Sequence, residues 1–250
     1  VPFVSKALGT QLAKAAARVM TGVSIAELKA EGLLREQDGT HQPASSPVAV
    51  KEAVLPFKRF RTKDGRIVDS LLSPEMRSTG EVMGIDTDFP TAFAKSQLAA
   101  YGGLPKSGTV FVSVSDRDKR AIVLPVAKFV ELGFSIAATE GTAAVLARHG
   151  ISAKVVGKFT PDSPDGTTPG QDRNIVDMIH GGEVDMVINT PSGRASRADG
   201  YEIRTAAVSA HLPIFTTISE LSAAVGSLSA LRSGFTVTSL QEYNTQRGDS

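Results

Sequence analysis

The chain has 250 residues, of which 41% are apolar and 21% charged, and its formal net charge is +1. This composition is typical of a globular protein of one or two domains with a buried core, and it excludes an intrinsically disordered chain. The balanced charge provides no global field for a polyanion, so we expect no nucleic-acid partner and only local roles for basic residues. The absence of cysteine excludes disulfides, thiolate nucleophiles and cysteine-based metal sites.

The first residues lack the pattern of a signal peptide, and no run of about 18 apolar residues occurs anywhere. We therefore expect a soluble, cytoplasmic protein with no membrane partner. The chain starts without Met, on the apolar and strand-like segment PFVS. We expect it to be a fragment whose natural beginning lies further upstream.

The first hundred residues predict a small α+β piece. Apolar residues at i, i+3, i+4 and i+7 predict the first helix, and Ser24 is expected to cap the second. No sustained period is found over 71–84, and the last helix offers Phe89, Phe93, Leu98 and Tyr101 for a core face. The predicted elements are helices at 6–21, 24–30 and 88–101, a strand at 47–57, and loops at 36–46 and 61–66.

The segment GGLPKSG at 102–108 combines chain breakers, which places a domain boundary between residues 102 and 103. The two predicted domains are 1–102 and 103–250. In the second, alternating short apolar strands and amphipathic helices predict an α/β fold with a doubly wound parallel sheet of about five strands. Strands are predicted at 109–113, 134–138, 153–156, 185–189 and 213–217, with a sixth considered near 235–238, and helices at 118–132, 141–149, 171–180, 201–210 and 221–231.

Three loops that follow predicted strands are rich in small hydroxyl residues, glycine and lysine. They are SVSDRDK at 113–119, ATEGT at 138–142 and NTPSG at 189–193. Ligands of parallel sheets bind beyond the carboxyl ends of the strands, where helix N-termini present free N–H groups. Hydroxyls, amides and a lysine charge suit a phosphate monoester. Helix capping explains each loop taken alone, but their convergence favours a phosphate pocket of Ser113, Lys119, Thr139, Thr142 and Asn189.

Other polar residues have weaker signals. Lys158 is expected at the same edge, either as a second charge of the pocket or as a solvated lysine, and the loop 160–171 is either a lid or a plain loop. The four histidines lack metal-ligand spacing, so no metal site is predicted. Because no nucleophile lies beside a base, no catalytic residue is assigned, and Asp116, Asp118 and Glu140 are interpreted as charges at helix starts.

The strings VPFVSKALG, VKEAVLPF and LLSPEMRSTGEVMGID, with the following AFAKSQ, resemble the end of the second ATP-grasp half of the carbamoyl phosphate synthetase large chain. The strings SVSDRDK, ATEGT and NTPSG resemble the methylglyoxal-synthase-like allosteric domain that ends the same chain. The resemblance covers essentially all 250 residues in the right order. It implies a methylglyoxal-synthase-like sheet preceded by a smaller piece of an ATP-grasp domain.

The resemblance implies that the intact enzyme is a ligase, the glutamine-hydrolysing carbamoyl phosphate synthase of pyrimidine and arginine synthesis. It makes carbamoyl phosphate from bicarbonate, two ATP and ammonia that a glutaminase small subunit delivers. Mg²⁺ or Mn²⁺, K⁺ and ATP are implied for the intact enzyme, and no cofactor for this chain. The family's nucleotide and metal ligands lie upstream of PFVSK, so this chain alone is not expected to catalyse.

The terminal domain of this family binds nucleotide monophosphates, with UMP as inhibitor and IMP as activator, and it responds to ornithine. Pro191 stands where the family has a threonine, and Thr190 and Ser192 are expected to supply hydroxyls in its place. Ile214 stands where the family has a tyrosine, which favours UMP control over ornithine activation. Positions that match the nucleotide pocket are Ser113, Lys119, Thr139, Thr142, Lys158, Asn189 and Asp199, and those that match the ornithine site are Glu52 and Thr216.

Two other interpretations share the fold. One is a stand-alone phosphate lyase of the methylglyoxal synthase type, and the other is the cyclohydrolase half of the bifunctional purine enzyme. The lyase uses catalytic aspartates in glycine-rich motifs that this sequence does not show. The NTPSG loop and residues 1–102 argue against both.

Overall fold

The structure, a computed structural model, describes residues 1–36, 46–54, 80–157, 174–190 and 193–248. The strands are β1 (Val48–Val54), β2 (Gly80–Asp86), β3 (Gly108–Val114), β4 (Phe134–Ala138), β5 (Lys154–Val155), β6 (Met186–Thr190) and β7 (Ile214–Phe215). The helices are α1 (Pro2–Leu8), α2 (Leu12–Met20), α3 (Ile25–Ala30), α4 (Phe89–Tyr101), α5 (Val123–Glu131), α6 (Glu140–Arg148), α7 (Ile175–His180), α8 (Gly193–Ser209), α9 (Ile218–Arg232) and α10 (Leu240–Gly248). No helix in these ranges is long and apolar enough to cross a bilayer.

The N-terminal segment differs from its prediction in two ways. The opening segment PFVS is helical, because Pro2 in the first turn favours a helix start. The single helix predicted over 6–21 is two helices, since Gly9 adopts a left-handed conformation with φ 66° and ends α1. The predicted cap at Ser24 is confirmed, and it forms a capping box with Glu27.

Strands β1 and β2 form an antiparallel pair whose register aligns Glu52 with Val82. Strand β2 lies partly in the stretch where no regular element was predicted. It packs against α4 at Gly84, which has no side chain to hold the helix away. A methyl group there would lie 2.5 Å from the backbone nitrogen of Ser96 and closer still to the carbonyl oxygen of Ala92.

Helix α4 ends at the predicted residue and begins one residue after the predicted start, because Asp88 is its cap and accepts a hydrogen bond from the Thr91 N–H. Its predicted core face is wrong at two positions, since Phe89 is 46% exposed and Leu98 is 45% exposed. The close approach of Gly84 selects the face with small residues instead. The buried side chains of α4 are Ala92, Phe93, Ala94, Ser96 and Gln97.

The five-stranded sheet of the C-terminal part is entirely parallel, with the order β5-β4-β3-β6-β7. Alternate residues of β3 face opposite sides, as the period of a strand requires. Val110 and Val112 pack with α5, α6 and α9, whereas Phe111 packs with α7 and α8. Helices therefore cover both faces, which confirms the predicted α/β fold preceded by a smaller α+β piece.

Several boundaries in this part differ from their predictions. A short 3-10 helix at Asp116–Asp118 precedes α5, and α8 begins well before the predicted residue 201. Residues 235–238 are not a strand, and α10 was not predicted. Its signal was present nonetheless, because Ser239 and Glu242 form a reciprocal pair of capping hydrogen bonds.

Helix α4 also packs against the C-terminal part of the chain. The Ser227 hydroxyl donates to the carbonyl oxygen of Pro90 at 2.7 Å, and the rings of Phe93 and Phe215 lie 6.3 Å apart. Phe93 is thus buried in the same core cluster as strand β3. The boundary between residues 102 and 103 stays a prediction.

Lys95 of α4 connects three segments. Its ammonium lies 2.6 Å from the Asp86 carboxylate of β2. It also lies 5.7 Å from the ring centre of Phe235 and 5.9 Å from that of Tyr243, within reach of a cation–π attraction. The C-terminal segment is in this way attached to the β1–β2 unit.

We expect Gly84→Ala to lower the free energy of unfolding by about 3 kcal/mol, because the new methyl group has no space against the α4 backbone. Gly226→Ala in α9 is the matched control, since its methyl group would meet Pro90 at an ordinary 3.8 Å. The control should be neutral or stabilising by about 0.5 to 1 kcal/mol. Urea unfolding measures both variants, and a similar loss in both would contradict the close approach at Gly84.

Candidate functional site

Buried polar side chains collect at the carboxyl ends of β3, β4 and β6. The parallel register places Ser113 of β3 beside Asn189 of β6, and Thr139 follows β4 with its N–H bonded to the Val112 carbonyl oxygen. Burying such groups is costly unless they gain partners. The structure therefore brings together the predicted residues Ser113, Thr139, Thr142, Asn189 and Thr190, each at most 8% exposed.

The second of the predicted loops leads into helix α6. Thr139 is the N-cap residue, yet its hydroxyl makes no capping bond to the α6 backbone. It instead donates to the Thr142 hydroxyl at 3.2 Å, and both groups are buried. The helix start therefore keeps amides that can bind an anion. Capping by Thr139, the alternative considered from sequence, does not occur here.

Lys119 connects the first loop with the start of α6. Its ammonium lies 2.9 Å from the point where a side chain on Gly141 would begin, and its side chain is 21% exposed. The ammonium pairs at 2.6 Å with Asp116, whose side chain is 93% exposed. Because exposed ion pairs contribute little, an incoming phosphate can replace Asp116 at this lysine.

Asp118 connects the first loop with β6, a role that its interpretation as a helix-start charge did not foresee. Its carboxylate accepts hydrogen bonds from the hydroxyls of Ser115 at 2.7 Å and Thr190 at 2.8 Å. The Ser115 bond, followed by the Thr190 bond, lowers the pKa of Asp118. Since the Thr190 hydroxyl is bonded to Asp118, it can replace a threonine at Pro191 only by giving up that bond.

Asn189 is held between two elements. Its amide nitrogen donates to the Ser113 carbonyl oxygen at 3.4 Å, and its amide oxygen accepts from the Arg204 guanidinium at 3.3 Å. Burial lowers the pKa of Arg204. Sequence reasoning missed Arg204, because its contact depends on how α8 packs against β6.

Several predicted features fall outside the described residues. They are Lys158, Pro191, Ser192 and the loop 160–171. Asp199 lies in α8, but its side chain is not among those described. Their parts in the pocket stay predictions.

An open groove of about 720 Å³ adjoins Lys119 between α5 and α6. Arg120 and Arg148 line it together with Lys119, so positive charge continues outward from the sheet edge. Within the described ranges, no group of three or more histidine, aspartate or glutamate side chains is placed to hold a metal ion.

Glu52 and Thr216 both interact with the carboxylate of Glu220. Thr216 donates to Glu220 through its N–H at 2.9 Å and its hydroxyl at 3.3 Å. Burial, and to a smaller degree the charge of Glu220, raises the pKa of Glu52. Burial, followed by the charges of Glu52 and Glu220, raises the pKa of Tyr101 to about 12. Sequence reasoning did not single out Glu220.

Gln97 belongs to the same group of polar residues as Glu52 and Glu220. Its amide nitrogen donates to the Glu52 carboxylate at 2.9 Å. The side chain is 1% exposed, and its amide oxygen has no hydrogen-bond partner among the described residues. Ile214 packs against the core cluster of α7 and α8.

Glu52→Gln tests the pKa of this buried carboxyl. The pKa of Glu52 is higher in the folded than in the unfolded protein. Its contribution to the free energy of unfolding is therefore fully present below the unfolded-state pKa and is lost as the pH rises through the folded-state pKa. The variant keeps an acceptor for Gln97 but cannot ionise. We therefore expect its free energy of unfolding, relative to the unsubstituted chain, to increase from pH 4 to pH 7 in urea titrations.

Glu81→Gln, on the neighbouring strand, is the control with the opposite sign. The ion pair with Lys51 lowers the pKa of Glu81, so its contribution is present above the unfolded pKa and lost as the pH falls. This variant should be weakest relative to the unsubstituted chain at pH 7. The same pH trend in both variants would contradict the burial of Glu52.

Comparison with known proteins supports the assignment of the fold. The family model of the MGS-like domain matches residues 121–216. The chain is 68% identical over 247 residues to the carbamoyl phosphate synthase large chain of Clavibacter sepedonicus. It is 60% identical over 248 residues to that of Beutenbergia cavernae, and 57% identical over 248 residues to that of Mycobacterium tuberculosis strain H37Rv.

These alignments cover 98% or 99% of this chain but 22% of each relative. The chain thus spans about a fifth of the length of the curated relatives that it matches. The resemblance found in the sequence strings is confirmed: the chain corresponds to the C-terminal region of carbamoyl phosphate synthase large chains and contains an MGS-like domain.

Proposed function

We propose that this chain is the regulatory C-terminal portion of a carbamoyl phosphate synthase large chain and binds a nucleotide monophosphate at the sheet edge, with UMP as the first candidate. The observation that carries the proposal is the position of the Lys119 ammonium against the first turn of α6, beside Gly141. The buried hydroxyls of Thr139 and Thr142 lie at the same helix start. Such a group of donors suits a phosphate dianion.

The two ends of a nucleotide have different requirements. Lys119 and the α6 amides provide charge and donors for the phosphate, whereas Asn189 provides a directed amide for the nucleoside. The α6 amides follow β4 and Asn189 lies near the end of β6, and these two strands flank β3, which carries Ser113. A nucleotide monophosphate has both kinds of group in one small molecule.

The activity of the whole protein is part of the proposal. It is a ligase that forms carbamoyl phosphate from bicarbonate, glutamine-derived ammonia and two ATP, in the cytoplasm, for pyrimidine and arginine synthesis. Residues 1–102 form the end of its second ATP-grasp half. Its Mg²⁺ or Mn²⁺, K⁺ and ATP bind elsewhere in the large chain, and a glutaminase small subunit supplies the ammonia.

The described residues give less support to a phosphate lyase. A lyase needs a carboxylate that can take a proton from the substrate. Hydroxyl hydrogen bonds from Ser115 and Thr190 engage Asp118 and lower its pKa, which makes this carboxylate a weaker base. Asp118, unlike the exposed Asp116, is thus held by structural partners.

Calorimetric titration of the chain with UMP tests the proposal. We expect saturable binding of UMP and much weaker binding of uridine, which lacks the phosphate. Lys119→Ala should weaken the binding of UMP by about 1.5 to 3 kcal/mol, because it removes a charge-assisted contact. If the heat measured on adding UMP were no greater than the heat of dilution, the proposed pocket would be rejected.

Lys128→Ala is the matched control for Lys119→Ala. Lys128 lies on α5, is 58% exposed and pairs with Glu131 at 2.6 Å. Its removal lowers the net charge equally but leaves the sheet edge unchanged. Equal losses of affinity in the two lysine variants would assign the effect to general electrostatics and not to the position of Lys119.

A second candidate function is the binding of ornithine near Glu52 and Thr216. The Gln97 amide oxygen has no hydrogen-bond partner among the described residues. The carboxylates of Glu52 and Glu220, which are close enough to affect each other, favour a ligand with an ammonium group. Ornithine should then bind with an affinity that Glu52→Gln reduces and Lys119→Ala does not. An equal effect of both substitutions would place ornithine at the nucleotide pocket instead.

A further inference from the structure

The side-chain amide of Asn189 connects three elements of the C-terminal part. Asn189 is 5% exposed and lies on β6 directly beside Ser113 of β3. Its amide nitrogen lies 3.4 Å from the Ser113 carbonyl oxygen, and its amide oxygen lies 3.3 Å from the Arg204 guanidinium of α8. Both atoms of the amide therefore have a protein partner.

The chemistry of these partners determines which way the amide faces. A guanidinium has only donors, and a peptide carbonyl has only acceptor lone pairs. The amide oxygen must therefore face Arg204 and the amide nitrogen must face Ser113, since a reversed amide would lose both bonds. One N–H is directed to Ser113, and the second is the group that Asn189 can offer to a ligand.

Gly200 provides the space for this arrangement. It lies one helical turn before Arg204 on the same face of α8. A methyl group on Gly200 would begin 2.5 Å from the Arg204 guanidinium and 2.8 Å from the Asn189 amide oxygen. Any side chain at this position would displace one of the two groups.

We propose that Arg204 is a positioning residue that holds Asn189 as a hydrogen-bond donor toward the bound nucleotide, and that Gly200 is required for this contact. The inference rests on the proposed function, because it concerns the specificity of the same pocket. It follows that the ligand presents an acceptor to Asn189, such as a carbonyl or sugar oxygen. A ligand with only donors at this point is disfavoured.

A double-mutant cycle on UMP affinity tests the inference. Arg204→Met removes the donors while keeping an apolar side chain of similar length, and it should weaken UMP binding about tenfold. In an Asn189→Ala background the same substitution should have no further effect, since Arg204 acts through Asn189. Additive losses would overturn the proposal, because they would mean that Arg204 acts on the ligand independently.

Two further variants separate positioning from a general effect on folding. Arg204→Lys should keep part of the UMP affinity that Arg204→Met loses, because lysine can also donate to the Asn189 amide oxygen. Gly200→Ala should weaken UMP binding, whereas Gly226→Ala, a glycine-to-alanine change in another helix, should not. Unaltered UMP affinity in Gly200→Ala would also overturn the proposal.

A measurement without ligand distinguishes failure of this inference from failure of the proposed function. The side-chain amide resonance of Asn189, identified by its loss in Asn189→Ala, should shift in Arg204→Met while the unfolding midpoint still reports a folded protein. An unshifted resonance overturns the positioning role, whether or not UMP binds. Absence of UMP binding in the unsubstituted chain, with a shifted resonance, rejects the nucleotide and leaves the Arg204 contact established.

Discussion

The candidate site depends on the parallel register of β3 with its two neighbours. That register aligns Val112 with Ala138 of β4 and Ser113 with Asn189 of β6. Parallel strands end at the same edge of a sheet, so each following loop carries its polar residues to one place. The backbone hydrogen bonds of the sheet hold these residues rigidly. Without this register, the polar residues of three separate loops would not lie at one edge of the sheet.

The site is buried and polar, and internal partners offset the cost of burial. Thr139 bonds Thr142, Thr190 bonds Asp118, and Asn189 bonds both Ser113 and Arg204. Each bond joins segments far apart in sequence or fixes a helix start. Lys119 differs from these groups because its partner, Asp116, is almost fully exposed. A pocket with a rigid wall and one exchangeable counter-ion is suited to binding an anion.

Helix α4 connects the N-terminal part with the C-terminal sheet and its helices. Its inner face contacts β2 through Gly84, its Gln97 bonds Glu52 of β1, and its Pro90 accepts a bond from α9. Thr217, beside Thr216, caps helix α9, and Glu220 of this helix accepts bonds from the N–H groups of both threonines. A continuous set of packed elements therefore runs from the β1–β2 pair to the edge strand β7. Contact of this kind shows a physical connection, whereas energetic coupling is a separate property.

Local patterns predicted the parts of the fold that local physics controls. The apolar runs of β3, β4 and β6 and the capping residue Ser24 identified their elements, because burial on both faces and helix capping are visible in short windows. The prediction failed where a distant neighbour decides. Strand β2 shows no clear alternation of apolar and polar residues, since its Gly84 occupies a position where the α4 backbone packs closely against the strand. The exposed Phe89 and Leu98 show the same effect, because contacts with other elements determine which face of α4 is buried.

The sequence by itself determined the class of the fold and the edge of the sheet that carries the polar loops, and it predicted that Ser113, Lys119, Thr139, Thr142 and Asn189 lie at that edge. It could do so because strand ends and helix starts are defined by neighbouring residues. Only the tertiary structure decided that Thr139 bonds Thr142 and leaves the α6 start uncapped, and that Asp118 secures Thr190. It also decided that Arg204 bonds the Asn189 amide oxygen and that Gly200 leaves space for this contact. These contacts join residues from different elements, and their distances follow from packing that no local pattern encodes.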